Sequence, residues 1–315
     1  MEVKRVLLDM DPGIDDALAL LLALRSPELE IGAITTVAGN VEVEKTTKNA
    51  LKVLEFLGLE TPPVAMGCSK PLFRELRTAK HVHGEDGLGG LFLPEPKLRP
   101  LTKHAVEVMV EEVERSGGRI VFVCTGPLTN LASALRDYPE TMGKVEGVIV
   151  MGGAYGLTPY GHGNITPVAE YNFYVDPEAA EMVLDSGLPL LAVGLDGTMD
   201  TAAMLSKEEY EELRKGRTKE AKLAAELVKP LLERFGKVAL HDPMALVSLL
   251  KPELFKIGRY HVRVETKGEL TRGQVVVDRR PFILPGEEWE GREIRICEGV
   301  DGEGFLRFFL ERLME

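Results

Sequence analysis

The stretch Arg5–Leu24, RVLLDMDPGIDDALALLLAL, decides the fold. It opens on a short apolar run, Arg5–Leu8, turns through Asp9–Gly13, and continues as an apolar helical pattern from Asp15 to Leu24. A strand that reads as an unbroken Val/Leu run is buried on both faces, as strands of parallel sheets are. The same strand-and-helix phrase recurs along the chain. Glu30–Val37 reads as a strand and Glu42–Phe56 as a helix. Val106–Ser116, Leu128–Arg136 and Pro177–Asp185 read as helices, each followed by a strand: Arg119–Val123, Gly147–Met151 and Pro189–Val193. This alternation predicts an α/β fold with a doubly wound, mostly parallel, Rossmann-like sheet and right-handed crossovers. Two regions break the rhythm. Lys207–Phe235 is charged and helical without a strand. Residues 258–298 read as extra C-terminal strands (Tyr260–Glu265, Gln274–Asp278, Ile294–Cys297) before a last helix, Glu303–Leu313. No Pro-, Gly- or Ser-rich linker and no repeat interrupts the chain, so residues 1–315 read as a single domain.

Fifty acidic residues against 38 Lys and Arg give a net charge of −12. That balance argues against a nucleic-acid polymer or an anionic membrane surface as partner, but admits a cation or a small neutral ligand. Cys68, Cys124 and Cys297 are odd in number and widely spaced, with neither a disulfide framework nor a zinc pattern. Glu2 comes too early for a secretory signal, and no apolar run approaches a membrane span of about 20 residues. The expectation is a cytoplasmic protein with reduced thiols.

Ligands of open parallel sheets bind beyond the carboxyl ends of the strands. The segments at that edge are Asp9–Asp16, Thr35–Asn40, Thr125–Asn130, Met151–Asn172 and Asp196. The first holds four carboxylates: Asp9, Asp11, Asp15 and Asp16. Asp11 could cap a helix with Pro12 at its first position, and Asp15 and Asp16 could complement the helix dipole. That reading explains one or two acids. Four at this density repel unless a cation is present. Neighbouring helical residues point about 100° apart, so Asp15 and Asp16 divide between a cation and an adjacent ligand. An all-oxygen set suits Ca2+ or Mg2+ rather than zinc. His241-Asp242-Pro243 offers a further acid, although Asp242 could equally cap a helix Met244–Leu250 with Pro243 at its first position.

The segment Asp9–Ala17 resembles the N-terminal signature of the inosine–uridine-preferring nucleoside hydrolases. The resemblance continues, in order, through Val37–Asn40, Val82–Glu85, Thr125–Asn130, Met151–Gly153, Val168–Asn172, Asp176–Ala179, His241–Pro243 and Gly273–Asp278, covering essentially the whole chain. It implies calcium-dependent hydrolysis of the N-glycosidic bond of ribonucleosides by a homodimer or homotetramer. By the resemblance, Asp11, Asp16 and Asp242 bind Ca2+ through side chains and Thr125 through its carbonyl. Asp15 holds the 2′-hydroxyl, Asn40 lies near the ribose and the attacking water, Asn164 and Glu170 bind the 5′-hydroxyl, and Asn172 binds ribose hydroxyls. Met151 packs at the ribose, His241 faces the base and protonates it, and His83 lies near the base.

The chemistry agrees with that assignment. Cleavage at C1′ develops a ribosyl cation and an anionic base, so it needs anionic oxygen around the sugar and a donor at the base. Ca2+ is a weaker Lewis acid than zinc, so a carboxylate must take the proton of the attacking water, and Asp11 is the candidate base. By the resemblance, residues 218–240 contact the base, yet they hold no tyrosine. Phe235, Arg234 and Lys237 are the candidates there, and Tyr155, Tyr160 and Tyr171 could stack from elsewhere. His81 and His162 read as solvent-exposed. Two other readings compete. Asp9-x-Asp11 also resembles the start of a haloacid-dehalogenase-type, Mg2+-dependent phosphatase, but Gly13 stands where that pattern has Thr or Val. A non-catalytic nucleoside- or ribose-binding protein is disfavoured by the presence of both Asp11 and His241.

Overall fold

In a computed structural model describing residues 3–284, 286 and 289–315, the opening run forms β1 (Lys4–Met10). It is followed by α1 (Ile14–Leu24), β2 (Leu29–Thr36), α2 (Val43–Leu57) and β3 (Val64–Met66), an excursion to one side of β1. The chain then returns through α3 (Lys80–His83) and α4 (Ala105–Ser116) to β4 (Val121–Cys124), which pairs on the other side of β1. From there α5 (Thr129–Asp137), α6 (Pro139–Met142), β5 (Gly147–Met151), α7 (Tyr171–Val175), α8 (Pro177–Asp185) and β6 (Leu190–Val193) extend the sheet outward. The remaining elements are α9 (Leu195–Thr198), α10 (Lys207–Leu213), α11 (Lys219–Phe235), α12 (His241–Leu250), β7 (Phe255–Val264), β8 (Val275–Val277), β9 (Arg292–Val300) and α13 (Gly302–Met314).

The strand order is β3-β2-β1-β4-β5-β6-β9-β7-β8. Pairing is parallel from β3 to β9 and antiparallel for β9–β7 and β7–β8. The expected doubly wound sheet with extra C-terminal strands is thus present as one mixed sheet. Alternation along β1 feeds two cores. Val6, Leu8 and Met10 face a cluster built with α1, α11, α12 and α13, and Leu7 faces one built with α4, α5 and α8. Burying each such aliphatic side chain stabilises the fold by about 1.5–3 kcal/mol. Chain direction across the sheet reverses between β1 and β4, the crevice where doubly wound sheets take ligands. The Thr125 amide donates to the Asp9 carbonyl (2.8 Å), so the loops after β1 and β4 leave the sheet side by side.

Several boundaries differ from expectation for local reasons. β4 starts at Val121 rather than Arg119 because Gly118 (φ +85°) turns the chain, and pairing with β1 begins at Val6 opposite Val121. β7 and β9 outrun their expected cores because they pair along their lengths, from Phe255 opposite Val300 to Val262 opposite Arg292, with half-exposed faces that hide the apolar signal. β3 and α7 are too short for periodicity to reveal. Lys207–Phe235 is helical without a strand, but as two helices, α10 and α11. Among the described residues no helix is long and apolar enough to cross a membrane.

Candidate active site

The residue preceding α1 is Gly13, so Asp11 is not the helix cap. Asp16 fulfils that need from inside the first turn: its Oδ2 accepts the Gly13 amide (3.1 Å) and its Oδ1 the Asp11 amide (3.3 Å). Asp11 is thereby released to face the crevice, with Oδ2 accepting the Asn40 amide (2.7 Å). The backbone closes tightly around it. A Cβ on Gly39 would collide with Oδ2 of Asp11, and one on Gly126 with Oδ1, so only glycine fits at either place. The capping alternative for Asp242 fails in the same way. α12 starts at His241, and its cap position is Leu240. Asp242 lies in the first turn, and its carboxylate meets those of Asp15 and Asp16. One oxygen from each of these three acids lies within 4.8 Å of the others.

This cluster is buried. Asp11, Asp16 and Asp242 are each at most 3% exposed, and among the described residues none is ion-paired with Lys or Arg. Burial, then the neighbouring acids, lifts Asp11 and Asp242 well above the usual carboxylate range. Burial and Asp15 push Asp16 up to about 6. Acids this close, dry and without a basic partner fit a hard divalent cation: the donor atoms are all oxygen, and two positive charges offset their repulsion. Thr125 borders the cluster. Its hydroxyl donates to Asp16 Oδ1 (2.8 Å), and its carbonyl accepts Asn172 Nδ2 (2.7 Å) and keeps a second lone pair.

Above the acids opens a cavity of about 460 Å³. Asp11, Asp15, Asn40, Thr125, Met151 and Asn164 line it, as do Glu170, Asn172, His83, His241 and Asp242. Of the sequence-predicted site residues, only Asp16 lies outside this lining, beneath the floor. Asn40 Nδ2 bridges the Asp11 carbonyl and Asp16 Oδ2 (both 3.1 Å). Asn172 Nδ2 is occupied by the carbonyls of Thr125 and Met151 (3.1 Å to the latter), which leaves its Oδ1 to accept. Glu170 caps α7, taking the amides of Gly153, Asn172 and Phe173 at 2.8–3.1 Å, yet burial still pushes it up to about 7. Asn164 is exposed and has no side-chain partner among the described residues.

The two histidines are held differently. His83 Nδ1 accepts the Ile14 amide (3.1 Å) and sits 3.9 Å from Asp15. An amide can only donate, so His83 carries its proton on Nε2. His241 Nδ1 lies 2.8 Å from the Thr198 hydroxyl. Burial lowers both imidazole pKa values.

The apolar part of the cavity was legible in the sequence only at Phe235 and Lys237. Leu231 and Phe235, one turn apart on α11, line it with Val82, Ile165, Met199 and Met204. Of the three candidates in residues 218–240, Phe235 and Lys237 reach the cavity. Arg234 instead donates to the His81 carbonyl and lies over the Phe235 ring at 4.8 Å. Tyr171 lines the wall, its hydroxyl between the carbonyls of Gly39 (2.8 Å) and Arg77 (2.7 Å). Tyr155 is core, bonded to the Gly152 carbonyl, and Tyr160 reaches Thr201. His81 and His162 are exposed as expected, although His81 lies at the cavity rim. Asp9, the nucleophile a phosphatase would need, is buried behind the floor. Its Oδ1 accepts from Thr35 (2.7 Å) and Asn130 (2.8 Å), its Oδ2 has no partner among the described residues, and burial pushes it up to about 7.

Comparison with known proteins agrees with this geometry. The family described as inosine-uridine preferring nucleoside hydrolase matches residues 6–307. The pyrimidine-specific ribonucleoside hydrolases RihA of Citrobacter koseri and Escherichia coli are 44% identical over 315 residues, 98% of this chain and 97% of theirs. Among solved structures, the plant nucleoside hydrolase PpNRh1 superposes with a TM-score of 0.91 at 34% identity, covering 99% of both chains. A purine-preferring ribonucleoside hydrolase from Gardnerella vaginalis superposes at 0.88 and 31%, covering 99% of this chain and 98% of that one.

Proposed function

The chain belongs to the inosine–uridine preferring nucleoside hydrolase family and hydrolyses ribonucleosides at the N-glycosidic bond, and we propose that it does so with a calcium ion held by Asp11, Asp16, Asp242 and the Thr125 carbonyl. The observation that carries the proposal is a cavity whose lining brings the acids Asp11, Asp15, Glu170 and Asp242 and the amides Asn40 and Asn172 together with two imidazoles and a set of apolar side chains. When bound, the cation supplies positive charge that makes a water more acidic and anchors ribose hydroxyls. Asp11 accepts the proton of the attacking water. Asp15 binds the 2′-hydroxyl, and Asn172 accepts from the ribose hydroxyls through Oδ1. Asn164 and Glu170 bind the 5′-hydroxyl, Asn40 orients the ribose and the water, and Met151 packs on the sugar. The carboxylates stabilise the cationic charge growing at C1′. At the other end His241 hydrogen-bonds the departing base, with His83 beside it.

Pyrimidine ribonucleosides are the substrates to test first, because the relatives at 44% identity are pyrimidine-specific. The experiment measures ribose release from uridine, cytidine, inosine, adenosine and guanosine before and after calcium removal. Turnover that is lost on chelation and restored by Ca2+ but not Mg2+ is expected. Undiminished turnover in the chelated protein defeats the metal assignment. We further infer a cytoplasmic homodimer or homotetramer: all three cysteines are unpaired, and Phe73, Phe92 and Leu270 offer exposed apolar surface for assembly. Sedimentation velocity tests the assembly, for which a monomer at micromolar concentration is the contrary result.

A further inference from the structure

His241 can help a base depart only if one ring nitrogen faces it in a fixed direction. What fixes the ring is α9, a single helical turn with several anchors. Asp196, in that turn, accepts the amides of Tyr155 (2.7 Å), Leu157 (2.6 Å) and Thr158 (3.1 Å), while its own carbonyl accepts the Thr158 hydroxyl (2.9 Å). Gly197 lies against β9 so closely that a Cβ there would come within 2.9 Å of Cys297 Sγ. The turn ends in Thr198, which is fully buried, with its amide bonded to the Gly194 carbonyl. Its hydroxyl lies 2.8 Å from His241 Nδ1 and has no other partner among the described residues.

We infer that Thr198 is a positioning residue for the hydrolysis: its hydroxyl occupies Nδ1 of His241 and so directs Nε2, as the proton-bearing nitrogen, toward the departing base. This inference rests on the reading that His241 assists the base. Three observations carry it. The hydroxyl is buried and would otherwise lack a partner, so its proton goes to Nδ1. His241 lines the cavity, whereas Thr198 does not, so the contact lies on the side of the ring away from the substrate. The scaffold beneath Thr198 is rigid on two sides, through Asp196 and Gly197, which also gives Asp196, a residue of the carboxyl edge outside the cavity lining, its task. Locking a tautomer through the far nitrogen is a general way to prepare an imidazole for catalysis.

The test compares Thr198→Val, which is isosteric but lacks the hydroxyl, with Thr198→Ser, which keeps it, each alone and Thr198→Val also combined with His241→Ala. Thr198→Val should lower kcat on a ribonucleoside by about tenfold, a part of the roughly 10²–10⁴-fold a positioned acid contributes, with little change in KM. It should slow 4-nitrophenyl riboside far less, because that leaving group needs no help. Thr198→Ser should restore the rate, and Thr198→Val should have no further effect in the His241→Ala background. Nitrogen NMR of His241 should show the Nε2-protonated tautomer in the unmodified chain and a mixture in Thr198→Val. The inference is overturned if Thr198→Val slows both substrates equally, if Thr198→Ser is as slow as Thr198→Val, or if the double variant is slower than His241→Ala. If His241→Ala itself shows no leaving-group dependence, the underlying reading falls as well. If His241→Ala shows that dependence while Thr198→Val behaves as the unmodified chain, only the inference falls.

Discussion

The two ends of the cavity are built on different principles. At the acid end almost every polar side chain has a second task within the protein. Asp16 caps α1, Glu170 caps α7, Asn40 ties Asp11 to Asp16, and Asn172 ties Thr125 to Met151. For these four residues the substrate-facing atom is what remains after the fold has taken its share, so its direction is fixed before a ligand arrives. The base end is lined by Met199, Met204, Leu231, Phe235 and a few neighbours, among which the flexible methionines and the exposed Phe235 ring can adapt to what they cover. The acid end can therefore select a sugar sharply, whereas the base end, with His241 and His83 as its polar contacts, grades bases mainly by fit.

The largest expected effect probes the acid end through the substrate. A 2′-deoxyribonucleoside should be cleaved about 10⁴-fold less efficiently than its ribonucleoside, because the missing hydroxyl leaves buried polar partners unpaired. Competition between uridine and 2′-deoxyuridine measures this, and a ratio below about ten would abolish the contrast between the ends. Asp11→Asn comes next, with an expected loss of about 10³ in kcat and near-unchanged substrate affinity; full turnover would remove Asp11 as the base. The third effect concerns the cation-free protein. Folded-state values of about 6 for Asp16 and about 7 for Asp9 and Glu170 lie above their ordinary 3.8 and 4.5. Raised carboxyl values mean that the folded state holds protons the unfolded chain releases. This contribution to stability is fully present below about pH 4 and is lost as pH rises through about 6–7. The chelated protein should therefore melt lower at pH 8 than at pH 5, and Ca2+ should recover most of the difference at pH 8. A flat or opposite dependence contradicts the burial of these carboxyls. The smallest effect belongs to the base end: Phe235→Ala should raise KM about tenfold with kcat nearly kept, since the ring contributes fit rather than chemistry. A collapse of kcat there would show the two ends to be one unit.

The sequence disclosed the two ends unequally, for the same reason. Asp11, Asn40, Thr125, Asn172 and Asp242 stand in short polar blocks at strand and helix ends, where few residue types meet the local need, so the pattern is specific. Their capping alternatives were real possibilities that only the backbone could decide, as it did at Gly13 and Leu240. Leu231 and Phe235 read as one face of an amphipathic helix, and nothing in such a stripe separates a cavity wall from a core. Met199 and Met204 come from a distant loop and meet α11 only through the tertiary fold. The central strands were plain because they are buried on both faces, whereas β7 and β9, wetted on one side, showed only the C-terminal half of β7 and the middle of β9.

The collar of Gly39 and Gly126 around Asp11 has a consequence for altering this molecule. A side chain at either position would have to push the Asp11 carboxylate aside, so substitutions there act on Asp11 as well. Phe235, Met204 and Leu231 border open volume and share no hydrogen bond with the acids, so they can be varied together. A library confined to those three positions can change which base is released while leaving the bond-breaking apparatus as it is.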